Sequence, residues 1–217
     1  MSLIIYTCLF GYTDPLHEPA CTTDARLVCY TDNHGLTSQH WEIIQVPKTP
    51  YPCRQARLAK AMSHTLIDAE WSLWLDANFT LEVDPYVLLG EAAFTTFVHP
   101  DRSRIRDEAR EIIRLGKAPA DLIQAQLAAY QAEGFDTDAN PQQVLSCNSV
   151  ILRRHTPEVI ALNELWAEEI NTRSLRDQMS LDYCAWKLGL AINRWPGSHR
   201  QNQFFRHKYY KRPVNDV

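Results

Sequence analysis

Hydrophobic residues along this chain fall into short unbroken runs, separated by turn formers and by stretches of helical period. Leu3 to Phe10 (LIIYTCLF) is rich in β-branched and aromatic types and is closed by Gly11. That pattern predicts a buried strand. Residues 11–24 carry two prolines and read as a loop. Ala25 to Thr31 predicts a second strand, ending at Asp32-Asn33-His34-Gly35, and Trp41 to Val46 a third, stopped by Pro47. Over 53–69, Leu58, Met62 and Leu66 recur at helical spacing and predict a helix with those residues inward. A strand over 71–76, a short helix opened by Asp84-Pro85, and a strand from Phe94 to Val98 follow.

The period then becomes helical. Asp101 is expected to cap a charged helix stopping near Leu115-Gly116, and Pro119 to open a second one running to about Glu133-Gly134. Pro141 suggests a turn of helix, Ser149 to Leu152 a strand, and Thr156-Pro157 the start of a helix reaching Ile170. Ser174 and Asp177 have capping-box spacing ahead of a helix to Leu188-Gly189. Leu190 to Trp195 is the last strand expected. This mixture predicts an α/β fold with a mainly parallel central sheet flanked by helices. The expected layout is one domain over 1–195, a helical insertion around 102–145, and a basic, aromatic tail over 196–217.

Composition adds limits. The 217 residues are 45% hydrophobic and 22% charged, with a net charge of -4, so no global basic field draws the chain to nucleic acid. The first residues read as a strand and not as a signal peptide, and no apolar run approaches the roughly 18 residues that cross a bilayer. A cytoplasmic protein with no membrane span is therefore expected. None of the six cysteines forms a Cys-x-x-Cys pair, and several lie in strand-like runs, which reads as buried thiols.

Candidate chemistry gathers where predicted strands end, because open α/β sheets bind ligands at their carboxyl ends. Phe10, Tyr12, Asp32, Asp76, Asn78 and His99 all sit there. Arg54, Arg57 and Lys60 are spaced three apart at a helix start; they are either a solvated face or a cradle for a diphosphate. Asp76 is either a turn residue or a carboxylate for a ribose hydroxyl or a divalent ion, with Asn78 offering a neutral carbonyl. Asp177 and Gln178 start a helix, where Asp177 either complements the dipole or faces a ligand. Asp177, Gln178 and His99 are the candidate catalytic residues, His99, Arg102 and His155 are candidate acceptor contacts, and His207 in the tail is a candidate metal ligand. No Gly-x-Gly-x-x-Gly, Walker loop, Gly-x-Ser-x-Gly elbow or His-Glu-x-x-His helix is present.

Seven ordered segments carry a resemblance: YTCLFGYTD, LVCYTD, CRQARLAK, SLWLDANFTLEVDP, HPDRSRIRDEAREIIRLGK, VILRRHTPEVIALNELWAEEI and RDQMSLDYCAWKLG. From about Tyr6 to Gly189 the chain resembles the glycosyltransferase-like domain of the plant turgor-regulation-defect and mucilage-related proteins. The resemblance implies a GT-A-like, Rossmann-type nucleotide-sugar domain. By that analogy Phe10, Tyr12 and Asp32 contact base and ribose, and Arg54, Arg57 and Lys60 face the diphosphate. Asp76 and Asn78 occupy the Asp-x-Asp site, where Mn²⁺ or Mg²⁺ is the implied cofactor, although the amide at Asn78 puts metal dependence in doubt. Asp177-Gln178 resembles the pair that contacts the donor sugar in glycogenin-like enzymes; if configuration inverts, Asp177 is the first candidate base.

The expected function is transfer of a sugar from a nucleotide-sugar, UDP-linked by expectation, to a hydroxyl acceptor such as a glycan. Two alternatives stand beside it. One is a phage-type transferase acting on a modified DNA base, with Arg206, His207, Lys208, Tyr209, Tyr210, Lys211 and Arg212 contacting DNA. The other is a sugar-nucleotide-binding protein without turnover.

Overall fold

The computed structural model describes residues 1–11 and 14–208. Nine strands and six helices succeed one another among these residues: β1 (Leu3–Leu9), β2 (Arg26–Thr31), β3 (Trp41–Gln45), α1 (Pro52–Ala61), α2 (Ser63–Leu66), β4 (Trp71–Leu75), β5 (Phe79–Leu81), β6 (Phe94–Val98), α3 (Ile105–Arg114), α4 (Ala120–Ala132), β7 (Ser146–Arg154), α5 (Pro157–Thr172), α6 (Leu181–Leu188), β8 (Asn193–Ser198) and β9 (Phe205–His207). Two 3₁₀ turns, Pro85–Leu88 and Asp177–Met179, interrupt the loops.

Seven strands form one sheet in the order β3-β2-β1-β4-β7-β6-β8. All run parallel except β7, which is antiparallel to both its neighbours. The molecule is thus an α/β protein with a mostly parallel sheet, consistent with the GT-A-like Rossmann type. β1 is buried along its whole length because both faces of the sheet are covered. Ile4, Tyr6 and Cys8 face the layer of α1, α5 and α6. Leu3, Ile5 and Leu9 face the opposite layer, built from Phe79, Leu81, Leu88 and Phe205 together with loop residues such as Leu16 and Leu36. No helix among the described residues is long and apolar enough to cross a membrane.

Several local expectations need correction. The helix over 53–69 is two pieces, broken at Met62. Its inward side is Ala59, Lys60, Ala61 and Ser63, while Leu66 is exposed, because small side chains let the helix lie close on the sheet. Asp101 caps nothing and pairs with Arg200; the first amide of α3 is taken instead by the side chain of Gln142. Ser174 donates to Gln126 rather than capping a helix, and no helix forms at Pro141. The boundary drawn at 195 falls inside β8, and the tail supplies β9, which pairs with β5. Thr156 does cap α5, accepting from Val159 N at 3.4 Å.

Candidate active site

Strand order reverses between β1 and β4, which makes the rim beyond their carboxyl ends the natural place for a ligand. Gly11 ends β1 with φ +77, and a Cβ there would meet the Pro52 ring at 2.7 Å. Only glycine lets α1 start this close to the strand end. The N-terminus of α1 therefore opens on the rim, with no side-chain cap and no acid in its first turn. Asp32, 5% exposed, accepts from Gly11 N through both oxygens at 2.9 and 3.1 Å, so its carboxylate ties β2 to β1.

From α1, two cations reach a pair of acids. Lys60 is 2% exposed, and its Nζ lies 2.9 Å from Asp76 Oδ1 and 3.2 Å from Asp177 Oδ2. The indole of Trp74 packs 5.1 Å below the ammonium and donates from Nε1 to the same Asp76 oxygen at 2.8 Å. The Nε of Arg57 stands 3.3 Å from Asp177 Oδ1. Burial pushes the Asp177 carboxyl up, but Arg57 and Lys60 outweigh it and hold it at about 2. Asp177 in turn raises Arg57 above the ordinary arginine range. Apart from that ion pair, Arg57 makes no hydrogen bond among the described residues. The cations are thus not an unpaired face: Lys60 is consumed, Arg57 is half committed, and Arg54 donates to Asn171.

Sequence reasoning missed one residue at this rim. Asn148, on β7 beside the end of β4, is 3% exposed, and neither atom of its amide has a hydrogen-bond partner among the described residues. A buried amide without partners is costly unless something else fills its valences. The available signal was an amide inside the otherwise small and apolar run SCNSVIL. Gln178 is adjacent, taking the Asn148 N–H at 3.5 Å and donating to the Ser146 carbonyl. On the other side of Asp76, Asn78 donates to His207 Nε2 at 2.9 Å, and its own Oδ1 has no hydrogen-bond partner among the described residues. His199, after β8, contacts the Cys147 thiol at 3.0 Å.

Other expected site residues lie elsewhere. His99 ends β6, two strands from Asp76, roughly 10 Å away at the usual strand spacing. Its Nδ1 faces the amides of Asp101 and Arg102, and its Nε2 faces the Arg102 guanidinium at 2.9 Å. Burial and Arg102 lower it to about 4, so it is a neutral brace for its own turn and not a poised base. Arg102 itself is held by Glu108. His155 ends β7, the one antiparallel strand of the seven-stranded sheet, and so falls on the opposite rim, bonded to Ser72, Ser63 and the Ala69 carbonyl. Phe10 opens on a groove of about 490 Å³ along α1, shared with Tyr30, Tyr51, Arg54, Leu58 and Met62. Tyr12 lies outside the described residues, as do Tyr209, Tyr210, Lys211 and Arg212.

The model of the TOD1/MUCI70, glycosyltransferase-like domain family matches residues 28–214. This chain belongs to the TOD1/MUCI70 family. A curated relative, the probable hexosyltransferase MUCI70 of Arabidopsis thaliana, is 27% identical over 188 residues, covering 79% of this chain and 32% of that protein. The chain spans about a third of the relative's length. The TOD1/MUCI70 match takes in Arg57, Lys60, Asp76, Asn148 and Asp177, and it runs on through β9, so the tail belongs to the same domain match.

Proposed function

We propose that this TOD1/MUCI70 domain is a glycosyltransferase that takes a hexose from a nucleotide-sugar, UDP-linked in the first instance, and passes it to a hydroxyl acceptor. The observation that carries the reading is Arg57, a guanidinium with free donors held over the switch point of the sheet beside the open N-terminus of α1. Forked guanidinium donors and helix N-terminal amides both suit a diphosphate. With the diphosphate there, the nucleoside lies toward Gly11, Asp32 and Phe10, its base at the mouth of the groove along α1. The sugar lies toward Asn148 and Gln178, whose amides are acceptors and donors of the kind that fix sugar hydroxyls.

Catalysis on this reading is electrostatic. Charge grows on the departing diphosphate, and the fixed donors of Arg57 and α1 stabilise it more than they stabilise the ground state. Asp177 is not the base: a carboxylate held at about 2 accepts a proton poorly near neutral pH. Its role is to orient Arg57 and Lys60. The acceptor approaches from the side of β6 and β8.

Release of UDP from a panel of UDP-hexoses, with and without sugar acceptors, tests the proposal. Slow release that rises with acceptor and collapses in Arg57→Ala is expected. Binding without release by any donor means a sugar-nucleotide-binding protein instead. No observation favours the DNA reading: Arg206 is paired with Glu82, and His207 with Asn78.

A further inference from the structure

We propose that Lys60 supplies from within the chain the positive charge that a divalent cation would bring to this rim, so that nucleotide binding requires no metal. The inference rests on the nucleotide-sugar reading for its ligand, but its physical basis is the donor set. A hard cation takes oxygen ligands and prefers several carboxylates. Here both nearby carboxylates already converge on one ammonium, at 2.9 and 3.2 Å, and Asp177 also faces Arg57. Lys60 and Arg57 balance the two acids, and Arg176 adds a third positive charge that acts on Asp177. Asp76 is followed by the neutral Asn78 where a second acid would stand, and Asn78 and His207 are turned to each other. Among the described residues, no group of three or more His, Cys, Asp and Glu side chains can hold a metal ion. An ion bound at Asp76 would sit within a few ångströms of the Lys60 ammonium, which would repel it.

Lys60 acts through Asp76 and Asp177, so it is a positioning residue. It keeps the two acids from repelling a diphosphate brought to Arg57, and it holds Asp76 against Trp74.

Two measurements test this. In the first, the melting temperature of the wild-type chain is followed with UDP in EDTA and in MnCl₂. Equal stabilisation in both buffers is expected, since a ligand that binds only the folded state raises the midpoint by mass action. Stabilisation lost in EDTA, restored by Mn²⁺ and absent in Asp76→Asn overturns the proposal. In the second, Lys60→Ala and wild type are titrated with Mn²⁺ alone. Removing the ammonium leaves two facing carboxylates, so the variant is expected to gain a Mn²⁺-dependent rise in midpoint and at least about tenfold tighter binding than wild type. Mn²⁺ bound more tightly by wild type than by Lys60→Ala overturns the proposal. If the variant does not fold, the Mn²⁺ spin-resonance signal of the wild-type chain decides: an unperturbed signal supports the proposal, and a bound one defeats it. Should UDP stabilise nothing in either buffer, the nucleotide reading falls, and the Mn²⁺ titrations still decide where the charge comes from.

Discussion

Two long cations are buried back to back in this protein, and they live by different rules. Arg153, fully buried, meets no carboxylate among the described residues: its guanidinium donates to the carbonyls of Lys60 and Ala61, to Asn163 Oδ1 at 2.9 Å and to the Tyr6 hydroxyl at 2.5 Å. Burial lowers its proton affinity, and neutral acceptors compensate. Lys60, whose carbonyl Arg153 grips, sends its ammonium the other way, into two acids at the rim. Arg153 joins α1, β1, β7 and α5 and has no route to a ligand. Lys60 shares Asp76 with solvent, since that carboxylate is 31% exposed. Neutral partners mark a cation that holds the fold; on the reading proposed above, the acidic partners of Lys60 at a strand end make it part of a site.

The sharpest break of this contrast is Arg153→Met. It strands two carbonyls, an amide and a phenol in the core, and a loss of about 3–5 kcal/mol in urea unfolding is expected. Lys60→Met comes next. It leaves the acids facing each other, and about 3 kcal/mol should go at pH 7, with the deficit shrinking as Asp177 protonates at lower pH. If both variants lose the same amount and neither deficit depends on pH, the two cations are not different in kind. A smaller effect belongs to Asp177. Its folded value of about 2 lies below the ordinary 3.8. The pair therefore contributes about 2 kcal/mol that is fully present above pH 3.8 and lost as the pH falls through 2. Asp177→Asn should flatten that acid limb of the stability curve. Smallest in stability is Asn148→Ala, expected within about 1 kcal/mol of wild type because no hydrogen bond of its side chain is lost. UDP release should nevertheless fall by about 100-fold if the amide holds the donor.

The strands were legible because they are continuous apolar runs; β6 has the bounds its pattern predicts, Phe94 to Val98. The rim was legible too, since Asp32, Asp76 and Asp177 each end or begin an element. What was hidden depended on tertiary direction. Nothing local to SVILRRH says that β7 runs against its neighbours, and that one reversal carries His155 to the far rim. The burial of Lys60 was masked by Leu58, Met62 and Leu66, whose spacing is ideal for a core face. The alanines on either side of Lys60 were the better guide, because small residues mark where a helix can approach a sheet. β9 is three residues long and becomes a strand only because β5 waits for it.

That last pairing has a consequence for the cleft. Phe79 and His207 are register partners, and Lys208 N closes on the Asn78 carbonyl at 2.7 Å. His207, which clasps Asn78, lies 129 positions downstream of it. This flank of the cleft is therefore closed by a long-range contact, whose loop-closure entropy must be met by the packing of β9 on β5.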